Sequence, residues 1–347
     1  MASKWGQRLD WAEGRVDMTH GSGGKAMAQL IDELFITAFD NPLLAKKNDQ
    51  AVFEVAAGRM VMTTDGYVVS PLFFPGGDIG SLAVHGTIND VAMAGASPLY
   101  LSASFILEEG FPLRDLRRIV ESMARAAREA GVPIVTGDTK VVEKGKGDGV
   151  FISTTGVGVI PAPVVAPSGE RARAGDVVIV SGTLGDHGVA ILSSREGLAF
   201  ETSIESDSAA LHRLVARMVE VVPDIHVLRD PTRGGLSATL NEIAQQSGVG
   251  MIIEEGAIPV REEVKAACEL LGLDPLNLAN EGKLVAITDG RHAERLLEAM
   301  RADPLGADAA IVGRVVDDEH RFVQMETDFG GRRILSWLVG EALPRIC

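Results

Sequence analysis

Apolar residues recur along the chain with two different spacings, which predicts alternating strands and helices. Residues 113–130 place their apolar side chains on one helical face, and Gly131 follows as a C-terminal cap. A further helix is predicted over residues 26–38. Short apolar runs predict strands at residues 51–56, 59–64, 100–107, 132–136 and 150–160. This first α/β unit closes at Pro161-Ala162-Pro163.

A second α/β unit follows a polar turn over residues 169–176. Its predicted strands are residues 177–181, 251–254, 284–288, 310–316 and 322–326, and its predicted helices are residues 207–221, 235–247, 262–271 and 292–302. We therefore expect an α/β (α+β) fold with four parts: a glycine-rich arm and helix (1–40), an N-terminal domain (41–163), a C-terminal domain (164–328) and a mobile tail (329–347).

Composition narrows the classes of protein. The 347 residues are 46% apolar, which is enough for two cores. The net charge of −15 argues against sequence-independent binding to nucleic acid, because phosphate backbones attract basic surfaces. No apolar run approaches the roughly 20 residues of a membrane-spanning helix, and the N-terminus lacks the apolar core of a signal peptide. We expect a cytoplasmic protein that binds neither nucleic acid nor membranes.

The last four residues, Pro344-Arg345-Ile346-Cys347, carry one of only two cysteines in the chain. Two cysteines so far apart form neither a disulfide framework nor a zinc cluster. Pro344 breaks a preceding helix, so the last residues form a short arm whose thiol could enter a distant pocket as a carrier. The alternative is a small apolar residue at the surface. Cys268, in a predicted helix, is interpreted as a packing residue.

Glycine-rich and acidic segments point to phosphate and magnesium. Residues 20–25 (HGSGGK) precede a predicted helix, so their N–H groups can face phosphate oxygens, although the spacing fits neither a P-loop nor GxGxxG. Aspartates at the ends of apolar segments suit Mg²⁺ bound together with nucleotide phosphates. They are Asp49, Asp65, Asp90, Asp138 and Asp230. Any one of them alone is more simply explained as a cap or turn residue.

Two further charged residues are candidates for catalysis. Lys140 is followed by Val141 and Val142, where a cation should meet an anion such as a phosphate or a carboxylate. Glu281 stands just before an apolar strand, where a carboxylate can act as a general base. The alternative for both is a solvated charge at the boundary of an element.

Taken together, these motifs resemble the HypE family of hydrogenase maturation proteins. That family lies in the superfamily of aminoimidazole ribonucleotide synthetase, selenophosphate synthetase and thiamine-monophosphate kinase. The resemblance covers nearly the whole chain. It rests on HGSGG (20–24), TTDGYVVSPLFFPGGDIG (63–80), HGTINDVAMAGA (85–96), FILEEG (105–110), VTGDTKVV (135–142), SGTLGDHG (181–188), RDPTRGG (229–235), NLANEGKL (277–284) and PRIC (344–347).

The resemblance implies a homodimer in which two N-terminal sheets pair into a barrel, with nucleotide in the shared groove. It also implies a reaction. The carbamoyltransferase HypF places a carbamoyl group on Cys347, ATP drives its dehydration to a thiocyanate, and the cyano group passes to iron in a HypC–HypD scaffold complex for a nickel-iron hydrogenase. Phosphorylating the amide oxygen, with Mg²⁺ neutralising charge, would make it a good leaving group.

Site roles follow from the same resemblance. Cys347 carries the substrate, Glu281 is the base, and Lys140 stabilises phosphate or keeps that carboxylate ionised. The implied metal ligands are Asp49, Asp65, Asp90 and Asp230. The implied nucleotide contacts are Ser22, Gly23, Gly24, Asp65, Asn89, Gly137, Asp138 and Thr139.

Two other classes of protein stay open. A small-molecule ATP-dependent synthetase or kinase of the same superfamily would share the aspartates and the fold, but it would not need a terminal cysteine. A non-enzymatic scaffold would present Cys347 to partners without needing the magnesium-type loops. Deletion of Cys347 separates the three interpretations, because only the carrier enzyme would lose its reaction while keeping an ATP site.

Overall fold

The computed structural model describes residues 8–21, 25–47, 50–55, 58–197, 204–336 and 345–347. Two α/β units follow one another along the chain, as the periodicity predicts. The first contains a four-stranded sheet and a small hairpin, and the second contains a seven-stranded sheet. The parts of the chain described here contain no helix that is both long and apolar enough to span a bilayer.

The first unit is an open sheet with helices on one face. Its strands are β1 (Arg59–Tyr67), β2 (Phe73–Phe74), β3 (Gly77–Asp78), β4 (Ser97–Glu108), β5 (Ile134–Val142) and β6 (Val150–Ile160). Its helices are α1 (Lys25–Leu30), the π-helical Ile31–Ile36, α2 (Thr37–Phe39), α3 (Ile79–Met93) and α4 (Leu113–Ala130). The large sheet has the order β1-β6-β4-β5, and only the β4–β5 pair is parallel.

One row of paired residues crosses this sheet and fixes the geometry of the site. Asp65 on β1 pairs with Thr154 on β6, Thr154 pairs with Ala103 on β4, and Ala103 pairs with Gly137 on β5. The ends of the row are three strand spacings apart, or about 14 Å. Thr154 faces the helices, since its hydroxyl donates to the Ala83 carbonyl on α3. Asp65 therefore also faces the helix side.

The opposite face of the sheet carries exposed apolar side chains. Met60 and Met62 on β1 are 55% and 74% exposed, and Ile106 on β4 is 43% exposed. Lys140 pairs with Ile106 in the β4–β5 register, so it lies on this open face. Within the described residues the sheet does not close into a barrel, and its pairing with a second sheet across a dimer stays a prediction.

The second unit has a mostly antiparallel sheet. Its strands are β7 (Asp176–Val180), β8 (Val227–Arg229), β9 (Gly250–Glu254), β10 (Val285–Asp289), β11 (Ala310–Val316), β12 (Val323–Glu326) and β13 (Arg332–Ile334), in the order β13-β12-β9-β11-β7-β10-β8. Its helices are α5 (Asp186–Glu196), α6 (His212–Val221), α7 (Gly235–Ser247), α8 (Glu262–Leu271) and α9 (Ala293–Arg301). Only β9 and β12 pair in parallel.

The two units share one apolar cluster. Val91 on α3 packs in it with Leu214 and Met218 on α6 and Leu296 on α9, and all four side chains are fully buried. A shared core of this kind fixes the position of one unit against the other, so a site between them can be held rigidly.

Several predicted elements need correction. Residues 51–55 form no strand, and residue 56 lies outside the described ranges. The helix predicted from residue 207 begins at His212. The predicted tail from residue 329 does not lie wholly outside both units, because β13 pairs with β12 and Leu335 is buried in the second core. Hydrogen bonding to the β12 edge and burial of Leu335 together hold this stretch on the sheet.

Candidate functional site

Four carboxylates converge between the two units. Asp65 lies on β1, Asp90 in the last turn of α3, Asp230 directly after β8, and Glu281 shortly before β10. Burial, then the charges of Asp230 and Asp65, raise the pKa of Asp90 to about 7, although the Thr63 hydroxyl donates to it at 2.9 Å. Burial, then the charge of Asp65, raises the pKa of Asp230 to about 6. The charge of Arg229 lowers both pKa values but does not offset the effect of burial.

Glu281 is the most buried of the four, with 3% of its surface exposed. Burial raises its pKa well above the usual range, and the charges of Asp230 and Asp207 raise it further. Its Oε1 atom has no hydrogen-bond partner in the described part of the chain. A buried carboxylate oxygen left free in this way is available to accept a proton from a bound group.

The backbone around Glu281 is fixed from several sides. The Glu281 N–H donates to Asp207 Oδ1 at 3.0 Å, and Lys283 Nζ pairs with Asp207 Oδ2 at 3.2 Å. Asn280, fully buried, accepts from the Gly185 N–H at 2.8 Å and donates to the Pro231 carbonyl at 3.0 Å. The loop that carries Glu281 is thus held to the segment that carries Asp230. Asp207 and Asn280 were not singled out from the sequence, because these partners lie 49 to 95 residues away.

Cys347 docks into this same site. Its carbonyl accepts from the Val68 N–H and the Arg345 carbonyl accepts from the Ser70 N–H, each at 3.1 Å, so the end of the chain pairs antiparallel to the segment after β1. Ile346 is 3% exposed in the first core. Burial raises the pKa of the half-buried Cys347 thiol, and the nearby charge of Glu281 raises it further. The structure therefore brings together the residues predicted as carrier and base.

A second group of predicted residues lies on β5, at the other edge of the sheet. Gly137, Asp138 and Thr139 line a mostly apolar cleft of about 180 Å³. The cleft is also lined by Met27, Ile31, Phe35, Ile36, Phe39, Leu43 and Leu44. A Cβ at Gly137 would lie 2.2 Å from the Ala103 carbonyl oxygen, so only glycine fits there. The cleft combines an apolar lining with a few polar groups, as small-molecule binding sites do.

The glycine-rich segment reaches the same strand. A Cβ at Gly21 would lie 2.6 Å from the Val141 backbone nitrogen, so residue 21 packs directly on β5. This places the start of the segment near the cleft. The predicted nucleotide contacts Ser22, Gly23 and Gly24, and the predicted metal ligand Asp49, lie outside the described residues.

Lys140 does not meet Glu281 within one chain. Its exposed side chain pairs with Asp138, at 2.8 Å between Nζ and Oδ2. Because β5 and β1 are opposite edges of the sheet, and Lys140 and Asp65 lie on opposite faces, the two groups of residues are separated. Within one chain the anion that Lys140 contacts is Asp138, and the prediction that Lys140 stabilises phosphate or keeps Glu281 ionised stays a prediction.

Asn89, whose role as a nucleotide contact stays a prediction, ties the two units together. Its side-chain amide donates to the Ala209 and Glu281 carbonyls at 3.0 and 3.3 Å, and its Oδ1 accepts from the Leu211 N–H at 2.8 Å. The Nδ2 and Oδ1 atoms of the Asn89 side chain are therefore already hydrogen-bonded to protein groups. Asn89 positions the backbone of Glu281 from the first unit.

The residues present fit a magnesium-bound nucleotide in part. In the described ranges, no three His, Cys, Asp or Glu side chains are arranged to hold a metal ion. Mg²⁺ commonly takes only one or two carboxylates and completes its shell with phosphate oxygens and water. Asp65, Asp90 and Asp230 carry hard oxygen atoms of the type that Mg²⁺ prefers, and a cation near Asp90 and Asp230 would lower their raised pKa values.

Comparisons with known proteins show the family to which the chain belongs. The family models for the N-terminal and C-terminal domains of AIR synthase related proteins match residues 47–160 and 173–326. The chain is 71% identical to the carbamoyl dehydratase HypE of Azotobacter vinelandii, over 98% of this chain and 99% of that protein. It is 49% identical to the carbamoyl dehydratase HypE of Escherichia coli K12, over 96% and 99%.

Solved structures give the same result. A crystal structure of HypE in complex with ATP superimposes with a TM-score of 0.92 at 54% identity, covering 95% of this chain and 99% of that one. HypE in a HypE–HypF complex superimposes with a TM-score of 0.79 at 50% identity, covering 89% and 99%. Thiamine monophosphate kinase of Aquifex aeolicus, at 22% identity and a TM-score of 0.60 over 80% and 91%, shares the fold.

Proposed function

The chain belongs to the AIR synthase related family and, within it, to the HypE carbamoyl dehydratases, and we propose that it dehydrates a carbamoyl group carried on its own Cys347. The product would be a thiocyanate on the same sulfur, the source of the cyanide ligand in [NiFe]-hydrogenase maturation. The observation that carries the proposal is the docked position of Cys347 beside the free, buried carboxylate oxygen of Glu281.

The proposed reaction consumes one ATP for each water removed. The carbamoyl oxygen on Cys347 displaces ADP from the γ-phosphorus, and loss of both nitrogen protons then breaks the C–O bond, leaving a C≡N triple bond and releasing phosphate. Glu281 accepts the first proton at Oε1, which has no hydrogen-bond partner in the described residues, and the second proton leaves with the phosphate. Bound Mg²⁺ would neutralise charge on the transferred phosphate. Asp65, Asp90 and Asp230 are the residues that would hold it.

We place the nucleotide across two copies of the chain. The apolar cleft on β5 and the carboxylate group at β1 lie about 14 Å apart in one copy, at opposite edges of the sheet. The exposed Met60 and Met62 on the open face favour burial against a second sheet. In such a homodimer the first unit is the nucleotide-binding and dimerisation domain, and Lys140 on its open face can reach phosphate in the shared groove. Met62→Glu should then yield a monomer by light scattering.

The partners follow from the chemistry of the tethered group. Cys347 needs a carbamoyl donor, and a solved complex of HypE with HypF supports a HypF-type transferase. The cyano group would pass to iron in a HypC–HypD complex. A thiol that must stay free fits a reducing cytoplasm.

Intact mass spectrometry tests the proposal. The chain is incubated with a HypF-type carbamoyltransferase, its carbamoyl donor and ATP, and Mg²⁺·ATP is then renewed. We expect a gain of one carbamoyl group on the C-terminal peptide, followed by ATP-dependent loss of one water. Glu281→Gln should gain the group and keep the water. No adduct on Cys347 with an active transferase would overturn the carrier role and favour a free small-molecule substrate.

A further inference from the structure

Helix α5 contacts the backbone of residues 345–347, the C-terminal arm, through a buried histidine. His187 is fully buried, and its Nε2 lies 2.8 Å from the Ile346 carbonyl oxygen. Its Nδ1 lies 2.8 Å from the Ser206 hydroxyl. Because a carbonyl oxygen only accepts, Nε2 carries the hydrogen, and Nδ1 accepts from Ser206. Ser206 therefore fixes the tautomer that His187 needs to bind the arm.

An arginine of the same helix makes a second contact. Arg195 donates to the Ser70 carbonyl through Nε and Nη2, at 3.0 and 2.7 Å, and to the Arg345 carbonyl through Nη2 at 2.9 Å. It thus joins the arm to the segment against which the arm pairs. With the Val68 and Ser70 N–H groups, every carbonyl of residues 345–347 has a protein donor, and α5 supplies two of the four donor groups.

These contacts involve backbone atoms of the arm. They are therefore the same whether or not the Cys347 sulfur carries a carbamoyl group. In the docked position the thiol is half-buried and lies against the carboxylates, so a transferase, being a macromolecule, reaches it less readily than it reaches the thiol of a free arm. Loading is then favoured by the free arm, and dehydration is favoured by the docked arm. Stronger contacts between α5 and the arm must then slow loading and favour dehydration.

We propose that His187 and Arg195 are positioning residues that hold the loaded or unloaded arm in the site and so set the balance between loading and dehydration. The proposal rests on the carrier function of Cys347. Loss of the His187 donor leaves the Ile346 carbonyl buried and unpaired, which should shift the docking equilibrium about tenfold or more toward the free arm.

The experiment compares His187→Ala, His187→Gln and wild type in three single-turnover assays: alkylation of Cys347 by iodoacetamide, loading by the transferase, and ATP-dependent loss of water. We expect alkylation and loading to rise about tenfold in His187→Ala. Dehydration of the loaded chain should fall. Glutamine keeps an N–H donor and should restore slow alkylation and loading.

Further variants keep the test decisive. Arg195→Met should change the rates in the same direction, so it replaces His187→Ala if that variant does not fold. Arg213→Met is the matched control, since Arg213 donates at 2.7 Å to the Glu129 carbonyl, far from the arm. Alkylation and loading within twofold of wild type in folded His187→Ala and Arg195→Met would overturn the proposal, as would a loss of loading and dehydration together. If wild type never loads, the proposed function fails, and alkylation still tests the contacts.

Discussion

Raising the pH should release the C-terminal arm, because docking favours the protonated thiol. Burial, then the charge of Glu281, raises the pKa of the docked Cys347 thiol above its ordinary value of 9.0. The docked arm therefore holds its proton more tightly than the free arm. The contribution to docking is complete below pH 9 and is lost as the pH rises above that value. Asp90 and Asp230, with pKa values of about 7 and about 6, stay ionised throughout this range.

The size of the change in the docking equilibrium follows from the loss of one proton by the Cys347 thiol. With a free-thiol pKa of 9.0, the undocking constant grows by a factor of about 11 at pH 10 but only about 1.1 at pH 8. The docked arm should therefore lose about tenfold in its equilibrium constant, or about 1.4 kcal/mol, between these two values. The Val68 and Ser70 N–H groups report on this directly, since the arm carbonyls accept from them.

Pulsed hydrogen exchange, normalised to the intrinsic exchange rate at each pH, measures the protection of these two amides. We expect protection to fall about tenfold from pH 8 to pH 10 in wild type. Cys347→Ser has no thiol to titrate, so its protection should be independent of pH over the same range. Equal pH dependence in the serine variant, or constant protection in wild type up to pH 10, would refute the linkage of docking to the thiol.

Three further predictions concern the carboxylates and the cleft. Glu281→Gln should slow dehydration about 10²–10⁴-fold and leave loading unchanged, whereas the exposed Glu269→Gln should alter neither step; a loss of loading in Glu281→Gln would contradict the assignment. Since the pKa of Asp90 is raised to about 7, calorimetry should find weaker Mg²⁺·ATP binding at pH 6 than at pH 8, and Asp90→Asn should weaken binding and flatten that dependence. Gly137→Ala should cost about 1–3 kcal/mol in urea unfolding, because its Cβ would meet a backbone oxygen of β4, while Gly66→Ala, which meets nothing within 4 Å, should change stability by less than about 0.5 kcal/mol.

The sequence pattern predicted the helices and strands that bury one face and expose the other. Helix α4 runs over Leu113–Ala130 and strand β6 over Val150–Ile160, both as expected, because each alternates buried and exposed positions with its own period. Helices α3 and α5 were missed. Most of α3 is buried on all sides, and α5 is rich in buried small and polar residues, so neither shows a polar face at helical spacing.

For the site, the sequence indicated which residues could carry the chemistry, but it did not indicate how those residues are arranged in space. Glu281 and Cys347 were identified from their types and positions, and the structure brings them together. The separation of Lys140 from Glu281 follows from the strand order β1-β6-β4-β5, which no local pattern encodes. The role of Asn89 depends on partners 120 and 192 residues away. Such contacts arise only when both units pack on their shared core.

The cluster of four carboxylates, Asp65, Asp90, Asp230 and Glu281, also explains how the protonation of the proposed base can depend on bound nucleotide. Glu281 has a raised pKa because it is buried and lies among other carboxylates, so its protonated form is favoured relative to that of an exposed glutamate. Neutralising charge at Asp65, Asp90 and Asp230 removes three of the four carboxylate charges that raise the pKa of Glu281 and would favour the ionised form. The same burial keeps the Cys347 thiol neutral when no substrate is attached. In the proposed reaction, nucleotide and its cation would therefore favour the ionised form of Glu281, which is the form that accepts a proton.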